Sequence, residues 1–490
     1  MRKIIKLIKE KWLRETSLTI LLVVIILSVF ILINAIFKNL NLSPIDFTQE
    51  KIYTLSEDSK NEIKGIEQNV QMYFFGYNEN STAVSLGNQY HNENDKISVQ
   101  VITTSERPDL ATQFGVSSTD QLVAVSSNQR YKIIESNDMY TYDSSTYKTI
   151  DITEQKLTNA LLDVTIAKKP QIYFLSGHGE YGISSSSYMY TLSQYITNEV
   201  NDVSTIDLLS ADMPEICDVL VIANPTKDFQ VIETEKIQNY INNGGKIVWM
   251  QDPYINIKDY NESNFTNVNK ILSQYGISFS KGIVCEQSAE NMVAGYPDLI
   301  IPTMSYNEIV KDLYTDGTII IPDAGKINNA SDETLESLGV TATQFLKTTS
   351  KAFYKESISQ NSTYLTKEAN DVEGTFTLGE TLTKKLENDK TSTLVAFSNV
   401  FFVTNVRIQI SSQTTTPISL RNNKDIILNT IAYLSNREDS IRIRKDTGVV
   451  TFATATKKQD TIVKSIIFGI PVAIIIIGII ITIVRKRRNK

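Results

Sequence analysis

Two long apolar runs stand out against an otherwise mixed chain. Thr16 to Phe37 and Ser465 to Val484 span 22 and 20 positions without a charged residue. As helices they extend ~33 Å and ~30 Å, about the thickness of a bilayer's hydrocarbon core. Each predicts a transmembrane helix. Between them the pattern changes to short elements. Val70 to Phe75, Ile97 to Thr103, Gln121 to Ser126 and Tyr131 to Glu135 read as strands, with helical stretches between the first three and a closing helix over Asp151 to Ala167. From Lys168 the strands become continuous apolar runs: Gln171 to Leu175, Val203 to Leu209, Asp218 to Ala223 and Lys246 to Gln251. They alternate with helical patterns over Tyr188 to Val200 and around Phe229, Ile232, Ile237, Tyr240 and Ile241. Buried strands alternating with helices predict a parallel sheet covered on both faces. Residues 264–390 are less regular and read as an elaboration of that sheet. A late strand over Thr393 to Phe397 and a late helix over Asn423 to Leu434 follow.

These elements suggest seven segments: a basic tail (1–15), a membrane span (16–37), a β-α-β-α-β-β unit with a closing helix (38–167), a larger α/β domain with insertions (168–446), a juxtamembrane linker (447–464), a second span (465–484) and a second basic tail (485–490). The first unit has the order of a thioredoxin-like fold, but no Cys-x-x-Cys occurs, which excludes thioredoxin redox chemistry. The larger domain reads as a class I glutamine amidotransferase-like or flavodoxin-like parallel sheet.

Charge sets the expected orientation. Arg2, Lys3, Lys6, Lys9, Lys11 and Arg14 precede the first run, and Arg485, Lys486, Arg487, Arg488 and Lys490 follow the second. Basic flanks stay inside. The expectation is a two-pass bacterial cell-membrane protein with both termini cytoplasmic and an extracytoplasmic body in contact with membrane lipid. The chain carries −7; residues 1–15 contribute +4 and residues 485–490 contribute +5, which leaves −16 on the remainder. An acidic body repels phosphate backbones, so no nucleic-acid partner is expected.

Three stretches carry a family resemblance. They are Asp46 to Ser56; Tyr173 to Glu180 with Tyr240 to Lys246; and Asn423 to Leu434 followed by Ile441 to Arg444. In this order, between two apolar spans, they resemble the GldG-like auxiliary components of ABC transport systems, first associated with gliding motility. One departure is visible: a Gly-Asp-Ser-Asp-like strand end is replaced by Ala396-Phe397-Ser398-Asn399. The resemblance implies an accessory subunit working with a separate ABC ATPase and a multi-span permease. In agreement, the chain has no Gly-x-x-x-x-Gly-Lys-Ser/Thr loop for nucleotide phosphates.

Candidate chemistry is sparse. Two cysteines, Cys217 and Cys285, and two histidines, His91 and His178, are too few for a disulfide framework or a Cys/His zinc site. An active amidotransferase-like domain places a nucleophilic cysteine at a turn after a central strand; here the strand from Lys246 ends in Asp252-Pro253. No catalytic residue, cofactor or metal is therefore expected. Cys217 and Cys285 read as small apolar groups. His178 and Glu180, in Ser176-Gly177-His178-Gly179-Glu180, follow a strand of the parallel sheet, where such folds place ligand sites. They are candidate ligand-binding residues, with Asp252 and Glu286 on the same rim. The plainer reading is that the glycines make a turn and His178 satisfies backbone carbonyls. On either reading, His178→Ala is expected to leave assembly intact. The chain thus reads as a membrane-anchored, non-catalytic auxiliary subunit. The alternatives are an amidotransferase-like hydrolase using the His178/Glu180 turn, or a cell-surface structural protein.

Overall fold

The structure is a computed structural model. It describes Ser28 and residues 54–143, 148–254, 261–311, 313–314, 317–357, 365–410 and 413–437. The chain divides into Met1–Thr54 and Leu55–Lys490, and the described helices and strands discussed here belong to the second unit.

The first sheet combines β1 (Val70–Phe75), β2 (Ile97–Ile102), β3 (Leu122–Ser127) and β4 (Arg130–Glu135) in the order β2-β1-β3-β4. The β1–β2 pair is parallel; β3 runs antiparallel to β1 and β4 antiparallel to β3. Helices α1 (Glu57–Lys64), α2 (Thr82–Glu93), α3 (Pro108–Phe114) and α4 (Thr153–Thr165) cover it. Ser56 caps α1 by accepting from the Ser59 amide, with Glu57 and Asp58 in the first turn. Glu154 of α4 fastens this cap, accepting from the Ser56 amide and hydroxyl at 2.7 Å each. Ser56 is thereby pinned to the closing helix.

The second sheet is built on β5 (Gln171–Leu175), β6 (Asp202–Ile206), β7 (Val219–Ala223), β8 (Lys246–Met250), β9 (Ile277–Phe279), β10 (Ile327–Asn329), β11 (Val340–Lys347), β12 (Thr377–Lys385) and β13 (Thr391–Phe397). Its path is β9-β10-β12-β13-β8-β7-β5-β6, with β11 paired to β12. The five strands β6-β5-β7-β8-β13 are mutually parallel, so their spatial order is 2-1-3-4-5 in chain order. Both faces are covered. Phe174, Val221, Val248, Met250, Val395 and Phe397 pack under α5 (Tyr190–Asn198) and α9 (Asn423–Leu434). Leu220, Ile222, Ile247, Trp249, Leu394 and Ala396 face α6 (Val231–Asn242) and α7 (Thr266–Leu272). Burial on both faces explains why these strands read as unbroken apolar runs.

The glycines after α6 make room for a side chain. The Tyr240 hydroxyl accepts from the Lys246 amide at 3.0 Å and donates to its carbonyl at 2.9 Å, which lays the ring over Gly245. A Cβ at Gly245 would stand 2.4 Å from that ring. Tyr240 to Lys246 is therefore a helix stop built around one tyrosine.

Three expectations change. First, the large sheet is mixed: β12 runs antiparallel to β13, and β11 and β10 antiparallel to β12. Part of the irregular stretch 264–390 thus supplies strands to the sheet. Second, Ile232 does not join the buried face of α6; it is 52% exposed, because the helix starts only at Val231 and turns its first residues outward. Third, the placement as a two-pass membrane protein with an extracytoplasmic body is not upheld. Among the described residues no helix is long and apolar enough to cross a membrane, and no two-helix membrane anchor is seen. The longest described helix, α4, has 13 residues, or ~20 Å at 1.5 Å per residue, short of a ~30 Å hydrocarbon core. The runs 16–37 and 465–484, the linker 447–464 and both basic tails lie outside the described residues, Ser28 excepted.

Candidate functional site

In a 2-1-3-4-5 sheet the strand order reverses between β5 and β7, and a crevice opens outside the carboxyl ends of those strands. His178 stands there, in the loop that leaves β5. Its carbonyl accepts from the Thr226 and Lys227 amides of the loop after β7, at 2.8 and 3.0 Å. The Thr226 hydroxyl adds a third bond at 3.2 Å. Gly179 makes this approach feasible: its φ is +84°, and a Cβ there would lie 2.1 Å from Thr226 Oγ1. Gly179→Ala is therefore expected to lose about 1–3 kcal/mol from the backbone conformation alone, with the clash in addition. In denaturant titrations, adding Thr226→Ala should restore the clash component and leave the backbone component.

The imidazole is bonded on both sides. Nδ1 lies 3.0 Å from Glu180 Oε1, and Nε2 lies 3.0 Å from Glu233 Oε2. The His178 amide also donates to Glu180 Oε2 at 2.7 Å. The side chains of His178, Glu180 and Glu233 are 8%, 1% and 1% exposed. Glu233 also serves the backbone. Its Oε2 accepts from the Gln230 amide at 2.8 Å, half of the capping box that starts α6. Phe229 closes the fourth side, edge-on with ring centroids 4.8 Å apart.

A neutral imidazole has one N–H and one lone pair, so it can satisfy only one of two flanking carboxylates. The imidazolium satisfies both. Burial alone pushes the His178 pKa down, but hydrogen bonds and charge from Glu180, then Glu233, outweigh it and leave the pKa raised. A general base or a metal ligand needs a free nitrogen lone pair. In this arrangement both ring nitrogens are committed, and the group ties the β5 loop, the β7 loop and the start of α6 together.

Asp252 is placed elsewhere. It follows β8, is buried, and accepts from the Val400 and Phe401 amides at 2.8 and 3.2 Å. Burial raises its pKa against those two bonds and one from the Tyr181 hydroxyl. Asn224, in the left-handed region at φ +61°, ends β7 and accepts from Gln251 Nε2 at 2.7 Å and the Asp252 amide at 3.3 Å. Asp252 is thus linked to the His178 loop through Tyr181, not through the imidazole. Glu286 is fully buried and ties its own turn to Thr349, accepting from the Gln287, Ser288 and Thr349 amides and the Thr349 hydroxyl at 2.7–3.0 Å.

Glu233, Tyr181 and Asn224 are participants that the sequence pattern does not single out. Glu233 carries one local signal, an acid in the first turn three positions after Gln230. Both cysteines are free thiols. Burial pushes Cys217 up to about 11 and Cys285 to about 12, far from the thiolate a nucleophile needs. Tyr240, not His178, is the hydrogen-bond neighbour of Cys217. Among the described residues no group of three or more His, Cys, Asp or Glu side chains is arranged to hold a metal ion.

Residues 169–295 match the family model described as an ABC-type uncharacterized transport system. This fits a GldG-like ABC transporter auxiliary component. The matched stretch holds the whole His178–Glu180–Glu233 group and Asp252. No curated protein matches the chain. Among solved structures it is similar to the mmIFT52 N-terminal domain, at 14% identity over 54% of this chain and 97% of that one, with a TM-score of 0.37. It is also similar to a ThuA-like protein from Bacteroides uniformis, at 12% identity over 55% and 93%, with a TM-score of 0.31. A cytoplasmic protein from Salmonella typhimurium matches at 12% identity over 54% and 98%, with a TM-score of 0.29.

Proposed function

We propose that the chain is a non-catalytic auxiliary subunit of an ABC transport system, which binds a ligand or partner and works with a separate ATPase and a multi-span permease. The observation that carries this reading is the family match over residues 169–295. Two features support the non-catalytic part. Both nitrogens of His178 are held by carboxylates, and burial holds both cysteine thiols well above the range in which a thiolate forms. For the fold, the β-α-β-α-β-β order of residues 70–135, closed by α4, supports a thioredoxin-like unit, and the 2-1-3-4-5 parallel order supports a flavodoxin-like, amidotransferase-related sheet.

The test is a mild-detergent pull-down of the full chain followed by mass spectrometry. Co-recovery of an ABC ATPase and a polytopic permease in comparable amounts is expected. Recovery of neither, in a preparation that keeps other transport complexes whole, would refute the reading.

A further inference from the structure

A cleft of about 570 Å³ opens between β11 and α8 (Asp332–Ser337), on the α6/α7 face of the large sheet. This falls within the ~300–1,000 Å³ of ligand clefts. One wall is the helix, through Asp332, Leu335 and Glu336; the other is the strand, through Val340, Ala342 and Gln344. Leu335 and Val340 belong to the core beneath, and Ala342 packs partly against it.

The strand wall is a free edge. The Lys385 amide donates to the Gly339 carbonyl at 2.9 Å, and bonded pairs alternate along an antiparallel ladder. In the register Thr341↔Thr383 and Thr343↔Thr381, the two threonines therefore bond to β12. Val340, Ala342 and Gln344 turn their N–H and C=O groups the other way. The opposite side of β12 agrees: the Ser398 amide donates to the Leu378 carbonyl, so the even positions of β12 serve β13 and the odd ones serve β11. On its outer side β11 pairs with the short strand Thr303–Met304 at Leu346 and Lys347, and the Ser305 amide takes the Phe345 carbonyl. Pairing stops there. Among the described residues, the outward groups of Val340, Ala342 and Gln344 have no partner. Edge strands are commonly guarded by charge or proline; Val340-Thr341-Ala342-Thr343-Gln344 has neither.

We propose that this cleft binds an extended peptide segment of a partner, which joins the large sheet as an antiparallel strand on the free edge of β11 and turns apolar and basic side chains toward α8. Strand addition draws affinity from main-chain bonds and specificity from pockets for alternate side chains. Both are on one side here. In an antiparallel pair, residues that exchange bonds carry their side chains on the same face, so those bonding to Val340, Ala342 and Gln344 project into the cleft. Leu335, Val340 and Ala342 give them an apolar floor. Asp332 and Glu336, four positions apart on one side of α8, set two acids against the single base Lys385 among the lining residues. That balance selects a basic residue in the segment.

The experiment is fluorescence anisotropy of a labelled, end-blocked peptide, Thr-Val-Thr-Lys-Thr-Val-Thr, titrated with the full chain. Saturable binding is expected. N-methylation of the valine and lysine amides, which face β11, should abolish it, whereas N-methylation of the inner threonine amides should leave affinity within twofold. Replacing the peptide's lysine with glutamate should weaken binding several-fold. Ala342→Pro removes one outward N–H and leaves the bonds of Thr341 and Thr343 to β12 in place; it should weaken binding at least tenfold with little change in melting temperature. If that variant fails to fold, the two methylated peptides still decide the matter on the natural chain. Anisotropy that does not saturate, equal loss from both methylation patterns, or unchanged affinity in a folded Ala342→Pro protein would each overturn the proposal. So would a dimer of the natural chain, seen by light scattering, that Ala342→Pro dissociates, since a second copy would then occupy the edge. None of these results depends on the transport reading.

Discussion

Replacing His178 with alanine is expected to destabilise the Leu55–Lys490 unit by about 3–5 kcal/mol, the usual cost of breaking a buried charge pair by removing one partner. The reason is what the substitution leaves behind. Glu180 and Glu233, each with a side chain 1% exposed, would face each other across an empty ring site without a counter-charge. Glu233 would also cap α6 as an uncompensated buried charge. By sequence alone this position is a replaceable turn residue; the structure makes it the centre of a charge-balanced group.

The same group makes stability depend on pH. The folded pKa of His178 is raised above its unfolded value near 6.5. Its contribution is therefore fully present below about 6.5 and is lost as pH rises through the folded pKa. Urea midpoints measured from pH 6 to pH 9 should fall for the natural chain across that window. In His178→Gln, which cannot titrate, the slope from this residue should be absent. Equal midpoints for the natural chain and the alanine variant at pH 6 would show that the group contributes no stability.

Asn423→Ala is the second substitution with a large expected effect, about 3–5 kcal/mol, from several buried backbone groups left unbonded at about 1–3 kcal/mol each. Asn423 opens α9 and is 0% exposed. Its Oδ1 accepts from the Ile320 amide at 2.9 Å. Its Nδ2 lies within 2.7–3.0 Å of the carbonyls of Ile320, Phe402 and Pro417. One amide thus joins three chain segments to the start of a helix. Asn423→Asp keeps the acceptor but loses the donors, so it should not rescue. The check is a thermal melt followed by circular dichroism. A melting temperature unchanged by the alanine substitution would mean that water replaces the amide without cost.

The Asn423–Leu434 helix is legible in the sequence because its apolar positions and its ends agree with helical spacing, and the structure places it at those residues. The same holds for β1 and β5, whose limits match the apolar runs. The antiparallel strand β12 is not legible. Its sequence, Thr377-Leu378-Gly379-Glu380-Thr381-Leu382-Thr383-Lys384-Lys385, mixes glycine, acid and base with only two leucines, yet its first six residues are buried. Only pairing with β11 and β13 buries a sequence of that composition, and pairing is a long-range property.

The candidate site divides along the same line. That Ser176 to Glu180 forms a turn at the end of a parallel strand follows from local pattern alone: an apolar run stops, and two glycines bracket a histidine. The hydrophobic rhythm likewise decides that residues 168–250 alternate strand and helix, since each element must bury its own apolar side. The second carboxylate that commits the His178 ring, beside Glu180, comes from 55 positions away, from Glu233. The hydrogen bond that buried Glu380 accepts comes from 51 positions away, from Asn329. Backbone propensity acts over a few residues, so one chain can announce its elements. Charge balance and hydrogen-bond satisfaction act through space, and only the folded chain brings those partners within 3 Å of each other.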